Sequence, residues 1–189
     1  VGINHITEGD ILLDQVSILK DPLTYKKMIA YIPDTPTLYE HLTGIQYINF
    51  IADMYEVPEK KRQERIEEYA KRFELYNDLG NLIDSYSHGM KQKLILIAAL
   101  VHDPKLYILD EPFVGLDPKA SMTLKEILKE KAEQGKIIFF STHVLEVAQK
   151  LCNKTAIIKD GILVADGTMK RVIQDKSLEE VFMELEKDE

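Results

Sequence analysis

From Ser87 to Phe140 the chain alternates apolar helix, apolar strand, amphipathic helix and apolar strand, and no other feature constrains its fold as tightly. The first helix runs to Val101 and the first strand spans Leu106–Leu109. The second helix carries Leu124, Ile127 and Leu128 on one face, and the second strand spans Ile137–Phe140. Strands apolar on both faces belong in a parallel sheet covered by helices, so the fold class expected is α/β. The longest unbroken apolar run, Leu94–Val101, falls far short of the roughly 18 residues that a membrane span needs. A chain of 189 residues, 45% hydrophobic, can bury a core and hold one domain with an inserted lobe. Its 24 basic and 32 acidic residues give a formal charge of −8, which opposes nonspecific binding to nucleic acid or to an anionic membrane surface. With Cys152 as its one cysteine, the chain can form neither an intrachain disulfide nor a multi-cysteine metal site, which fits a reducing compartment.

Around this core the pattern changes twice. The beginning reads as short extended pieces, Ile11–Leu13 and Ile29–Ile32, with a one- or two-turn helix between them over Pro22–Met28. Thr43 followed by Gln46 makes a capping box, and Ile45, Ile48, Ala52 and Tyr55 then share one helical face. Pro58 and Glu59 open a further helix with the stripe Ile66, Tyr69, Ala70 and Phe73, and Gly80 lies just beyond its expected end. Residues 40–83 are thus expected to form a helical subdomain, with 1–39 and 84–189 forming the α/β core of a single domain. Near the end, Asp160-Gly161 suits a tight turn between strands Ala156–Lys159 and Ile162–Ala165. Ser177 and Glu180 then cap a helix whose Leu178, Val181, Phe182 and Leu185 form one apolar stripe.

The chemistry centres on Leu106-Tyr107-Ile108-Leu109-Asp110-Glu111-Pro112, an apolar strand ending in two consecutive carboxylates. Open parallel sheets bind ligands beyond the carboxyl ends of their strands, and adjacent buried acids are costly without a task. The task indicated is an acid holding Mg²⁺ beside a general base for water attacking a phosphate. Upstream, Tyr86-Ser87-His88-Gly89-Met90-Lys91-Gln92-Lys93 places a serine and a glycine at a helix start, where backbone N–H groups attract an anion. Downstream stand Gly115-Leu116-Asp117 and, after the next strand, Ser141-Thr142-His143. His5, His41 and His102 have no such context and are read as structural or exposed.

In order and spacing these segments resemble the ABC ATPase family: signature motif, Walker B with catalytic glutamate, D-loop, and the switch histidine of the H-loop. Ile29-Ala30-Tyr31-Ile32-Pro33-Asp34, followed by Leu38-Tyr39-Glu40-His41-Leu42-Thr43, looks like the Q-loop and the start of the helical subdomain. The resemblance covers essentially the whole chain. It implies the P-loop NTPase fold of the ABC type, with ATP and Mg²⁺ as ligands. By the same resemblance Glu111 and His143 are catalytic, Asp110 and Asp34 hold the metal, and Asp34, Ser87, His88, Gly89, Asp110 and Asp117 belong to the nucleotide site. The implied partners are a second nucleotide-binding domain, identical or not, and a transmembrane permease, with no nucleic acid. The expected place is cytoplasmic, peripheral at the inner face of the cell membrane, and the expected work is transport, most plausibly export. A soluble ABC ATPase without a transport role, or a noncatalytic subunit supplying only the signature motif, are the alternatives.

Three departures mark the resemblance. His88 and Met90 stand where the family's signature has glycine and glutamine, and Asp34 stands where the Q-loop has glutamine. No G-x-x-x-x-G-K-S/T occurs; the Gly135-Lys136 pair is followed by Ile137. The family's Walker A segment lies before the equivalent of Val1, so the domain is expected to be N-terminally incomplete and inactive alone.

Overall fold

The structure, a computed structural model, describes residues 1–35 and 37–187. They divide into two compact units, Val1–Ser141 and Thr142–Glu189. The first unit is built on three parallel strands in the order β3 (Ile29–Ile32), β4 (Leu106–Asp110), β5 (Ile137–Ser141). Parallel neighbours need crossover connections. The crossover from β3 to β4 contains α2 (Gly44–Met54), α3 (Glu59–Arg72) and α4 (His88–His102), and that from β4 to β5 is α5 (Pro118–Glu133). Before β3 lie a two-stranded ribbon, β1 (Leu12–Leu13) with β2 (Val16–Ser17), and the short helix α1 (Pro22–Lys27).

Register explains which side chains meet the helices. Ile32, Leu109 and Phe140 stand abreast, as do Ala30, Tyr107 and Ile138. These two rows pack into the main core with α2 to α5. α4 is apolar all round from Leu94 to Val101 because it is the central element of this layer, and every residue of that run is buried. At roughly 1.5–3 kcal/mol per fully buried large aliphatic side chain, this one run is among the larger contributions to the fold. On the opposite face of the sheet, Ile29, Leu106 and Ile108 pack with α1, Leu13 and Ile18. Further along, Ile137 and Phe139 are 51% and 64% exposed. The expectation that helices cover both faces therefore holds for β4 and not for β5, which among the described residues pairs only with β4.

The capping box of α2 forms as the sequence indicates: the Thr43 hydroxyl accepts from the Gln46 N–H, and the Gln46 side chain accepts from the Thr43 N–H at 2.9 Å. α3 buries Ile66, Tyr69 and Ala70, with Phe73 just beyond it. It ends earlier than Gly80 suggests, because Glu74 takes a left-handed conformation (φ 57) and two 3-10 turns follow.

The second unit contains α6 (Leu145–Leu151), the hairpin β6 (Lys154–Lys159) and β7 (Ile162–Thr168), α7 (Met169–Ile173) and α8 (Leu178–Lys187). The hairpin turns on Asp160 and Gly161, both at positive φ, as a two-residue turn of this kind requires. Ser177 and Glu180 cap α8 reciprocally, and Leu178 is buried against Ala148, Ile157 and Met169. α6 and α7 are too short to announce themselves by periodicity.

Candidate functional site

β4 delivers Asp110 as its last residue and Glu111 immediately after, both half-buried at the carboxyl end of the sheet. Glu111 adopts φ 44, a left-handed conformation unusual for a residue with a long side chain. The neighbouring strand holds it there. The Ser141 hydroxyl at the end of β5 accepts from the Glu111 N–H at 3.1 Å and donates to Asp110 Oδ1 at 2.5 Å. One side chain thus orients one carboxylate and fixes the backbone of the other. Beyond Pro112, Phe113 packs edge-on against Phe140 with ring centroids 5.9 Å apart. The Val114 N–H closes a turn onto the Glu111 carbonyl.

Asp34 lies two residues past the end of β3 and so at the same edge of the sheet; it is exposed, and its carboxylate accepts from the Thr35 N–H at 2.7 Å. The hard oxygen donors of Asp110 and Asp34 suit Mg²⁺, which retains several waters and needs only one or two carboxylates. Among the described residues, no cluster of three His, Cys, Asp or Glu side chains is poised around a metal.

Ser87 is the exposed N-cap of α4, its hydroxyl accepting from the Met90 N–H at 3.3 Å. Tyr86, just before it, is buried and anchors the turn. Its hydroxyl donates to the Asp78 carbonyl at 2.6 Å, and burial pushes its pKa up to about 12. A Cβ on Gly44 would collide with that hydroxyl, so any larger residue at the start of α2 would displace the Tyr86 ring. The turn also touches the loop after β4. The His88 ring lies so close to Gly115 that a Cβ there would come within 2.5 Å of it, and a Cβ on Gly89 would stand 3.0 Å from the Gly115 carbonyl oxygen. Asp117 caps α5 by accepting from the Ala120 N–H at 2.8 Å and pairs with Lys93 of α4 at 2.8 Å. The bond from Lys93, then that from Ala120, hold its carboxyl below the usual range. On the other flank, Lys91 reaches Glu40 at 2.5 Å.

The sequence profile described as ABC transporter matches residues 1–114. The chain belongs to the ABC transporter ATP-binding family. The ABC transporter ATP-binding protein EcsA of Bacillus subtilis is 32% identical over all of this chain and 78% of its own length. The SkfA peptide export ATP-binding protein SkfE of the same organism is 37% identical over 87% of this chain and 68% of its own. A solved structure of an ATP-binding subunit of an ABC transporter superimposes with a TM-score of 0.92, covering 96% of this chain and 78% of that one at 35% identity. The chain spans between 45% and 78% of the length of these and related ABC proteins.

Within the ABC family frame, the first unit places Asp34, Asp110 and Glu111 at the carboxyl end of the sheet, sets His88 and Gly89 against Gly115, and ties Asp117 to α4 through Lys93. His143 is the second residue of the second unit, two residues after β5, and it is exposed. No helix among the described residues is long and apolar enough to cross a membrane. Sequence reasoning missed Ser141 as a working residue. Its signal was there, a hydroxyl two positions before the histidine, but its two partners follow only from the pairing of β4 with β5.

Proposed function

We propose that this chain is the ATP-binding and ATP-hydrolysing part of an ABC transporter, driving transport through a separate permease, with export favoured. The observation that carries the reading is the pair Asp110 and Glu111 at the carboxyl end of β4, both held by Ser141. In this reading Asp110, with Asp34, holds Mg²⁺. The ion supplies positive charge to the phosphate oxygens when bound. Glu111 accepts a proton from the water that attacks the terminal phosphorus, and the bond to the leaving ADP oxygen breaks. His143 steadies that phosphate, and Ser87 and Gly89 meet the nucleotide of a second, opposed domain. Asp117 couples the two sites.

The 189 residues hold no G-x-x-x-x-G-K-S/T loop to cradle the phosphates. Without it, three carboxylates near the phosphate position repel a nucleotide. Isothermal calorimetry on the 189 residues alone is then expected to show no ATP binding, restored with the natural upstream segment. For the permease, exposed Tyr39, Phe50 and Met54 form an apolar surface on and beside α2, with Tyr39 and Phe50 in edge contact at 5.6 Å. The name of the peptide exporter SkfE supports the direction.

The decisive experiment is Glu111→Gln in the full-length protein. Turnover should fall by about a hundredfold or more while ATP binding survives, and gel filtration with MgATP should show an accumulated dimer. Wild-type turnover in this variant would remove Glu111 from the chemistry.

A further inference from the structure

Gln92 lies one turn into α4 and is 0% exposed, yet neither its side-chain oxygen nor its nitrogen has a hydrogen-bond partner among the described residues. A buried amide with both ends unmatched is uncommon and destabilising. Helix geometry gives its direction. With His88 set at 0°, a rotation of about 100° per residue puts Gln92 at about 40°, Gly89 at about 100° and Lys93 at about 140°. Three residues near Gln92, on its N-terminal side and beside it, meet one segment: His88 and Gly89 touch Gly115, and Lys93 pairs with Asp117. Gln92 therefore projects into the middle of the contact between α4 and the loop that follows Glu111.

That loop has peptide groups to offer. Its backbone turns through left-handed conformations at Glu111 and Gly115, so it is neither helix nor strand. Between them its internal bonds are the Val114 N–H to the Glu111 carbonyl and a long 3.4 Å contact from the Leu116 N–H to the Phe113 carbonyl. An amide, with a donor and an acceptor, can match such groups; a hydrocarbon of the same size cannot.

We propose that Gln92 is a positioning residue with two states: unpartnered in the arrangement described here, and bonded to the backbone of residues 113–117 when that loop shifts onto α4. Its energetic preference for the second state ties the Ser87–Gly89 turn to Glu111, so that engagement of the turn by a nucleotide is transmitted to the water-activating carboxylate. The consequence for turnover rests on the function proposed above; the two states do not.

The test compares Gln92→Met and Gln92→Leu with wild type in the full-length protein. Both variants keep the volume and remove the unmatched groups. Without nucleotide, the thermal midpoint should rise by a few degrees, and amide exchange in residues 113–117 should stay at the wild-type rate. With MgATP, kcat should fall at least tenfold while KM for ATP stays within about twofold, and the slowed exchange that ATP induces in residues 113–117 of the wild type should be lost. A lower midpoint in both variants would show that the amide is already satisfied, by a buried water for instance, and would overturn the proposal. So would unchanged kcat with wild-type ATP-induced protection. If wild type itself neither binds nor hydrolyses ATP, the function proposed above fails, and the nucleotide-free midpoint still decides whether Gln92 is unmatched.

Discussion

The two ends of the parallel sheet treat their carboxylates in opposite ways. Where β4 begins, Asp103 caps α4 in a left-handed conformation and is surrounded by cations: Lys131 at 2.8 Å, Arg65 at 2.9 Å and Lys136 at 3.3 Å. Burial, the largest single influence, pushes its pKa up, but the Lys131 bond and the three positive charges together outweigh it and hold the carboxyl below the usual range. Where β4 ends, Asp110 receives a hydroxyl from Ser141 rather than a cation, and Glu111 follows in a strained conformation. One end is neutralised from within and joins α3, α4, α5 and β5. The other sets Asp110 against a hydroxyl and places a second carboxylate, Glu111, directly after it. Stability is concentrated at the first end, and the function proposed above places the chemistry at the second.

Variants at the two ends should separate accordingly. Asp103→Asn keeps the shape and tolerates the left-handed backbone but strands three cations, of which Lys131 is only 6% exposed. Urea titration should show a loss of about 3 kcal/mol, in the range for breaking a buried ion pair. An unchanged midpoint would mean that the cluster does not join the elements. Glu111→Gln is the mirror image: unfolding free energy should stay within about 0.5 kcal/mol of wild type despite the loss of turnover.

His102 sharpens the contrast through pH. Burial lowers its pKa to about 4, against opposition from its bond to the Lys27 carbonyl and from Asp103, and the ring stacks on Tyr55 at 3.6 Å. The folded-state value lies below the unfolded one, so the neutral ring stabilises the fold fully above about pH 6.5, and this contribution is lost as pH falls toward 4. Wild type should lose on the order of 2 kcal/mol from this group over that window. His102→Phe should flatten the profile there, and an identical profile would refute the assignment. The smallest effect is expected for Ser141→Ala, which leaves the Glu111 N–H without its acceptor: about tenfold lower turnover with about 1 kcal/mol of stability lost. Equal turnover would show that Glu111 does not need Ser141.

Much of this was legible from local rules. The Asp110-Glu111 pair at a strand end, the capping boxes at Thr43 and Ser177, and the apolar run of α4 each depend on residues a few positions apart. The Asp103 cluster was not legible, because Arg65 of α3, Lys131 of α5 and Lys136, just before β5, lie tens of residues away and read in sequence as ordinary surface charges. Glu74, rather than Gly80, stops α3, since backbone conformation is not always entrusted to glycine. β5 reads as a fully buried strand because composition records what a strand can bury, and Ile137 and Phe139 remain exposed in the described structure. Gln92 could have been suspected: it stands one turn before Leu96, at the head of the buried run of α4.

The fastening of α4 at Asp103 has a mechanical meaning. The helix has 15 residues and is therefore a rod about 22 Å long, pinned at one end and carrying Ser87 at the other. A pivot of about 3° at the pinned end sweeps the tip through about 1 Å. That is the scale of misplacement that can cost about a hundredfold in rate when reacting groups must align. Lys91 and Lys93, tethered on opposite flanks to Glu40 and Asp117, act as guy-ropes that set the angle of the rod. A long lever with a firm fulcrum turns slight repacking deep in the layer into a larger displacement at its tip.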